Sequence, residues 1–178
     1  MKPPTRTFLT LMALTGAVVT ACSDSLASGD VTGPAMPLSV TSISADPTLP
    51  DAARIAFAAK SADSVRAHYS SSDGSDTGVT PWFPGDGGKL TVLGLLSGTT
   101  YTVTLEASRG GVTVTGAGTG YSTPPLPAPL AGVTLALLSG TPPASGYTLC
   151  SIIAPDNHGY LLAFDGAGNI RWYHDFGQ

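Results

Sequence analysis

The chain has 178 residues, with 8 basic and 12 acidic side chains and a net charge of −4. This balance excludes nucleic acid as a partner: phosphate binding needs clustered Lys and Arg, whereas Arg54, Lys60, Arg66, Lys89, Arg109 and Arg171 are scattered. Only 11% of residues are charged, and 22 Gly and 15 Pro accompany abundant Thr, Ser and Val. Such a composition points to an all-β protein of short strands and many turns.

In chain order, the first element is an export signal. Lys2 and Arg6 precede an apolar run from Phe8 to Thr20, and small residues lead into Cys22. This run falls short of the roughly 20 apolar residues of a spanning helix, but it has the layout of a cleaved signal. Val19-Thr20-Ala21-Cys22 resembles the cleavage site of bacterial lipoproteins. The resemblance implies removal of residues 1 to 21, lipidation of Cys22 and a membrane partner through that lipid. More than one acyl chain on a protein gives stable anchoring. Ser23 stands where Asp would retain a lipoprotein in the inner membrane, which implies the outer membrane of a bacterial cell envelope. Residues 22 to 38, small, polar and Pro-containing, read as a flexible tether. With Cys22 lipidated, Cys150 has no internal disulfide partner, and its apolar neighbours mark it as a buried filler.

Residues 39 to 122 alternate short apolar-polar runs with turn clusters. Arg54 to Ala58 and Ser64 to Tyr69 have the period of two expected of strands with one buried face. Asp73-Gly74-Ser75-Asp76 and Pro84-Gly85-Asp86-Gly87-Gly88 are turns. Lys89 to Val92, Thr100 to Ala107 and Val112 to Thr115 follow as strands, the last two joined at Arg109-Gly110-Gly111. About six short strands in this length imply a β-sandwich.

Leu95, Ser97-Gly98-Thr99 and Tyr101, ahead of alternating Val103 and Leu105, resemble the fibronectin type III pattern in which a leucine and a tight turn precede a strand-opening tyrosine. The resemblance implies a tyrosine corner, with the Tyr101 ring near Leu95 and its hydroxyl bonded to backbone just upstream. Ser97 replaces the pattern's proline, and Phe57 stands where its tryptophan is expected. Trp82 comes too late to replace it and is assigned to a sheet edge.

Residues 123 to 131, rich in proline, break regular structure and mark a linker. Beyond them, Gly132 to Leu138, Gly146 to Ile153 and Gly159 to Tyr173 read as strands, with a tight hairpin at Asp165-Gly166-Ala167-Gly168-Asn169. Tyr160 to Phe164 followed by Asp165-Gly166, Gly168, Ile170 and Arg171-Trp172-Tyr173 resembles a β-propeller blade, and is similar to the first blade of bacterial arylsulfotransferases. That family joins an amino-terminal sandwich to a propeller and moves sulfuryl groups between phenols through a histidine. On this resemblance residues 132 to 178 are the first strands of an incomplete blade, and the chain is expected to be the amino-terminal part of a longer protein.

No catalytic residue is assigned. The resemblance places the nucleophilic histidine beyond this chain; His158 and His174 could face a central funnel but read as solvated loop histidines, and His68 reads as an exposed strand residue. A calcium loop opening at Asp73 would need Glu at its twelfth position, which is Pro84. The glycine clusters at 87 to 88 and 116 to 120 lack the setting of phosphate loops. Glu106, the single Glu, offers no carboxylate pair. No cofactor or metal is expected. The alternative to the arylsulfotransferase reading is a non-enzymatic surface module that binds carbohydrate or protein. A phenolic or carbohydrate ligand is expected of the full-length protein only.

Overall fold

Alternating burial along each strand divides the sandwich into two sheets whose apolar sides face each other. The structure, a computed structural model, describes residues 36–49, 51–136, 146–155 and 157–177. The expected signal, Cys22 and the tether up to residue 35 lie outside the described residues. One sheet holds β1 (Leu38–Ala45), β2 (Ala53–Ala59) and β6 (Lys89–Val92) in the order β1-β2-β6. The other is built on β3 (Ser64–Ser71) and β7 (Thr100–Arg109), paired from Ser64↔Ser108 to Ser71↔Tyr101. On its outer sides two strands are each split in two. β4 (Thr77–Val79) and β5 (Phe83–Pro84) both pair with β3, and β8 (Val112–Thr115) and β9 (Thr119–Ser122) both pair with β7.

Ile55 and Phe57 of β2, Val65 and Ala67 of β3, Leu90 and Val92 of β6, and Tyr101, Val103, Leu105 and Ala107 of β7 make the core. The intervening residues face out, as a period of two requires. Each large apolar side chain buried here contributes about 1.5–3 kcal/mol. Phe57 is in the core, whereas Trp82 is 41% exposed beside β5 with the Arg66 guanidinium 4.4 Å from its ring centroid. Gly110 and Gly111 turn β7 into β8 with φ of 55° and 84°. Two positive values are what a two-residue turn matching strand twist demands.

Residues 123–130 are packed rather than free. Gly98 N–H donates to the Pro124 carbonyl, the Thr123 hydroxyl donates to the Leu96 carbonyl, and Leu130 is fully buried. Met36 is likewise buried and β1 begins at Leu38. All described residues fall within one compact unit, 33–178.

The expected strand beginning at Gly132 does not form within residues 132–136. A short 3₁₀ turn at Ala128–Leu130 is followed by Gly132 at φ 82°, and Val133 N–H bonds the Leu130 carbonyl. This segment therefore spends its backbone bonds on turns and on one bond from the Leu135 N–H to the Gly168 carbonyl (3.1 Å), and lays Leu130 and Val133 under the third sheet. That sheet is antiparallel, in the order β10 (Thr148–Ile153), β11 (Gly159–Phe164), β12 (Ile170–Asp175). In the hairpin between β11 and β12, the Asp165 carboxylate accepts from the N–H groups of Ala167 and Asn169. Gly168 has φ 85°, and a Cβ there would lie 2.1 Å from the Leu135 carbonyl oxygen. Only glycine fits this close approach.

Candidate functional site

Tyr101 opens β7 at the end of the sandwich facing the third sheet. Its ring is 1% exposed, shares the core with fully buried Leu95, and meets Tyr69 edge-on at 6.0 Å. Its hydroxyl accepts from the Leu96 N–H (2.8 Å) and donates to Asp76 Oδ2 (2.5 Å). Asp76 is itself held by its N–H, which donates to Ser71 Oγ (2.9 Å). The same Asp76 oxygen accepts from Arg171 Nη1 of β12 (2.8 Å), which also donates to the Gly94 carbonyl (3.1 Å). Arg171 Nε donates to Asp165 Oδ2 (2.7 Å). One chain of charge-assisted bonds thus joins the β6–β7 loop, the β3–β4 turn, the β11–β12 hairpin and β12.

Burial pushes the Tyr101 hydroxyl up, and donation to Asp76 pushes it further, so it stays protonated. Burial opposes the Arg171 charge, but Asp76 and Asp165 outweigh that and hold it charged. Burial likewise pushes Asp165 up, yet the Asn169 N–H and Arg171 bring it below the usual carboxylate range. Every member is engaged with another, so this network fixes geometry and leaves no nucleophile or free base.

Beside it lies a cleft of about 240 Å³ lined by Leu49, Leu93, Tyr147, Ala163, Arg171 and Trp172. Leu93 is 61% and Tyr147 64% exposed. Since the Arg171 charge is balanced by two carboxylates, the cleft offers mainly apolar contact, suited to an aromatic or aliphatic group.

The third sheet has two unlike faces. Cys150, Leu162, Tyr173, Tyr160, Phe164 and Ile170 pack on Leu126, Leu130 and Val133. On the other face Leu149, Ile153 and Phe176 are exposed, beside half-buried Trp172 and Leu161 and exposed His174. His174 lies parallel to Trp172 at 6.2 Å and edge-on to Phe176 at 4.9 Å. His158 stacks on Tyr160 and pairs with Asp175 (3.0 Å). The three histidines are not brought together: His68 pairs instead with Glu106 on the sandwich (2.7 Å).

Glu106 also accepts from Arg66 across the β3–β7 ladder, and His68 first, then Arg66, hold its carboxyl low. Outward alternation put all three residues on one face, but the cluster needed the register to become visible. Asp73 accepts from the Ser71 hydroxyl, chiefly, and from Ser75, which lowers it to about 2 and makes it a turn anchor. Cys150 is a half-buried free thiol. Of the predicted site residues, Leu95 and Tyr101 meet at the junction, whereas Cys22 lies outside the described residues.

Two packed antiparallel sheets, β1-β2-β6 against a sheet built on β3 and β7, with a strand-opening tyrosine bonded to backbone five residues upstream, define an architecture shared by immunoglobulin-like and fibronectin modules. The sandwich is fibronectin type III-like. The fn3 domain of the human collagen alpha-1(XX) chain is similar to it, with 30% sequence identity over 60% of this chain and 92% of that one and a TM-score of 0.42. No family model and no curated protein matches the chain.

Proposed function

We propose that this is an exported lipoprotein, held on the outer membrane of a bacterial cell through Cys22. Its fibronectin type III-like sandwich carries the opening sheet of an arylsulfotransferase-like β-propeller. Sulfuryl transfer between phenols belongs to the full-length protein, Cys22 serves anchoring, and the sandwich serves support. The observation that carries the propeller reading is the third sheet. Its central strand β11 is apolar on both sides; one face of the sheet packs on Leu130 and Val133, and the other presents Leu149 and Ile153 of β10, and Phe176 just after β12, to solvent. Propeller blades stack face to face and need such two-sided sheets.

The test incubates the purified chain, and the longest product of the same reading frame, with an aryl sulfate donor and a phenol acceptor. Release of the donor phenol by the longer product, and none by this chain, supports the reading. Turnover by this chain that His158→Ala or His174→Ala abolishes would overturn it. A reading frame without further blade repeats favours a second reading, a non-enzymatic binding module, for which the apolar cleft beside Arg171 is the supporting observation.

A further inference from the structure

The third sheet has two edges, and they are not alike. On β11 the Gly159 carbonyl accepts from the Phe176 N–H (2.9 Å) and the Gly159 N–H donates to the Gly177 carbonyl (3.2 Å), so Gly159 turns its backbone groups toward the β12 side. Ile153 of β10, which stands opposite Gly159 on the other ladder, therefore has no bond to it. One residue on, the Ala154 N–H donates to the His158 carbonyl (3.0 Å). Bonded and unbonded pairs alternate along an antiparallel ladder, so Thr148, Cys150 and Ile152 bond β11, while Leu149, Ser151 and Ile153 turn their N–H and C=O groups away from the sheet. No described strand lies beyond β10, and no described residue takes those groups.

An open edge is a template for another strand, and natural proteins guard edges with charge, proline or a bulge. Such guards stand on other edges of this molecule: a register shift between Val40 and Ser42 on β1, Pro84 on β5, and Lys89 on β6. On the far edge of the third sheet, β12 carries Arg171 and Asp175. β10, which reads Thr148-Leu149-Cys150-Ser151-Ile152-Ile153, has no charge and no proline. Of its outward-bonding residues, Leu149 is 64% and Ile153 79% exposed. The sandwich holds this sheet by the opposite edge, where Arg171 of β12 bonds Asp76 and the Gly94 carbonyl.

Any strand could meet these backbone groups, but a second copy of β10 also matches the side chains. Polarity along the strand is symmetric about Ser151: Leu149 and Ile153 flank it at equal distance on the outer face, and Cys150 and Ile152 do so on the inner face. Antiparallel pairing centred on Ser151 sets Leu149 opposite Ile153 of the second copy and Ser151 opposite its own counterpart, each pair exchanging both of its backbone bonds. Apolar side chains then meet apolar ones, and hydroxyl meets hydroxyl. A centre at Cys150 or at Ile152 sets serine against Leu149 or Ile153 and places the remaining outward residue opposite a position outside β10. The strand has no charge, so two copies bring no like charges together. We propose that the β10 edge pairs, antiparallel and centred on Ser151, with the β10 edge of a second copy of this chain, joining the two third sheets into one. Neither the lipid on Cys22 nor a propeller is needed for this pairing.

Disulfide capture in the purified full chain tests both the pairing and its register. All arms carry Cys150→Ala, and the chain with that change alone sets the background due to Cys22. Ser151→Cys, Leu149→Cys, Ile153→Cys and, on the sandwich, Thr113→Cys each add one thiol at an exposed position. Oxidised glutathione is the oxidant: two protein thiols join in one disulfide and two glutathione thiols are released. Directly opposed, hydrogen-bonded residues stand about 5.5 Å apart at Cα, within disulfide reach, whereas in this register Leu149 lies four residues, roughly 13 Å, from its own counterpart. The expected result is a disulfide dimer from Ser151→Cys at least about fivefold stronger than from the other three single variants, and its loss when Ile153→Lys adds a charge to the edge. Co-expressed Leu149→Cys and Ile153→Cys chains, whose thiols oppose each other, should cross-link as Ser151→Cys does. Equal yields from all four positions, or a band from Ser151→Cys no stronger than background, would overturn the proposal. So would protection of the Ser151 amide from exchange without any dimer, since that gives the edge to a different strand.

Discussion

Tyr101→Phe removes one oxygen and keeps the ring, its contact with Leu95 and its edge-on meeting with Tyr69. The oxygen stands between the Leu96 N–H and Asp76 Oδ2. Its loss leaves the Leu96 N–H without an acceptor and takes from Asp76 one of two donors, Arg171 being the other. Leaving a buried polar group unsatisfied costs about 1–3 kcal/mol, so the expected loss is about 2 kcal/mol. The described residues belong to one compact unit, and for cooperative units of this size each kcal/mol shifts Tm by about 2–4 °C. The variant should therefore melt about 4–8 °C lower, and its urea midpoint should fall with an unchanged m-value. A shift indistinguishable from zero in both assays would refute the assignment of this hydroxyl as a structural node. An altered m-value would instead place the effect outside the native junction.

Arg171→Met strips Asp76, Asp165 and Gly94 of their shared donor. At about 1.5–3 kcal/mol per hydrogen bond to a charged group, it should accelerate amide exchange along β11 and β12 more than along β3; uniform exchange would contradict the coupling. Gly168→Ala combines a positive φ with a clash against the Leu135 carbonyl, so it should cost more than the ~1 kcal/mol of an incompatible backbone alone, read as a urea midpoint. The Thr48 N–H and hydroxyl, with Arg54, lower Asp46 from 3.8 to about 2. Its contribution is thus present above pH 3.8 and lost as pH falls toward 2, and Asp46→Asn should flatten the stability curve across that window while leaving its shape above pH 5 unchanged.

Where burial alternates strictly, the fold was legible from the residues. Ile55 and Phe57, Val65 and Ala67, and Val103 and Leu105 each mark the inner side of a strand, and the paired glycines at 110 and 111 mark a hairpin. Tyr101 was legible too, through the resemblance of Leu95, Ser97-Gly98-Thr99 and Tyr101 to the fibronectin type III pattern, which implies a hydroxyl bonded to backbone just upstream. Gly132 to Ala136 misled the reading, since an apolar run with glycine at its head suits a strand and a turn-bound packing segment equally well. The junction was hidden for a different reason. Arg171 and Asp76 are 95 residues apart, and nothing local to either announces the other.

The claim at the centre of this account is the lipid on Cys22, and radiolabelled palmitate fed to bacteria expressing the full chain tests it most directly. The account predicts label on a product shortened by 21 residues that partitions into detergent, and an unlabelled, uncleaved, aqueous product from Cys22→Ser. Equal labelling and partitioning of the two proteins, or no label on either, would contradict it.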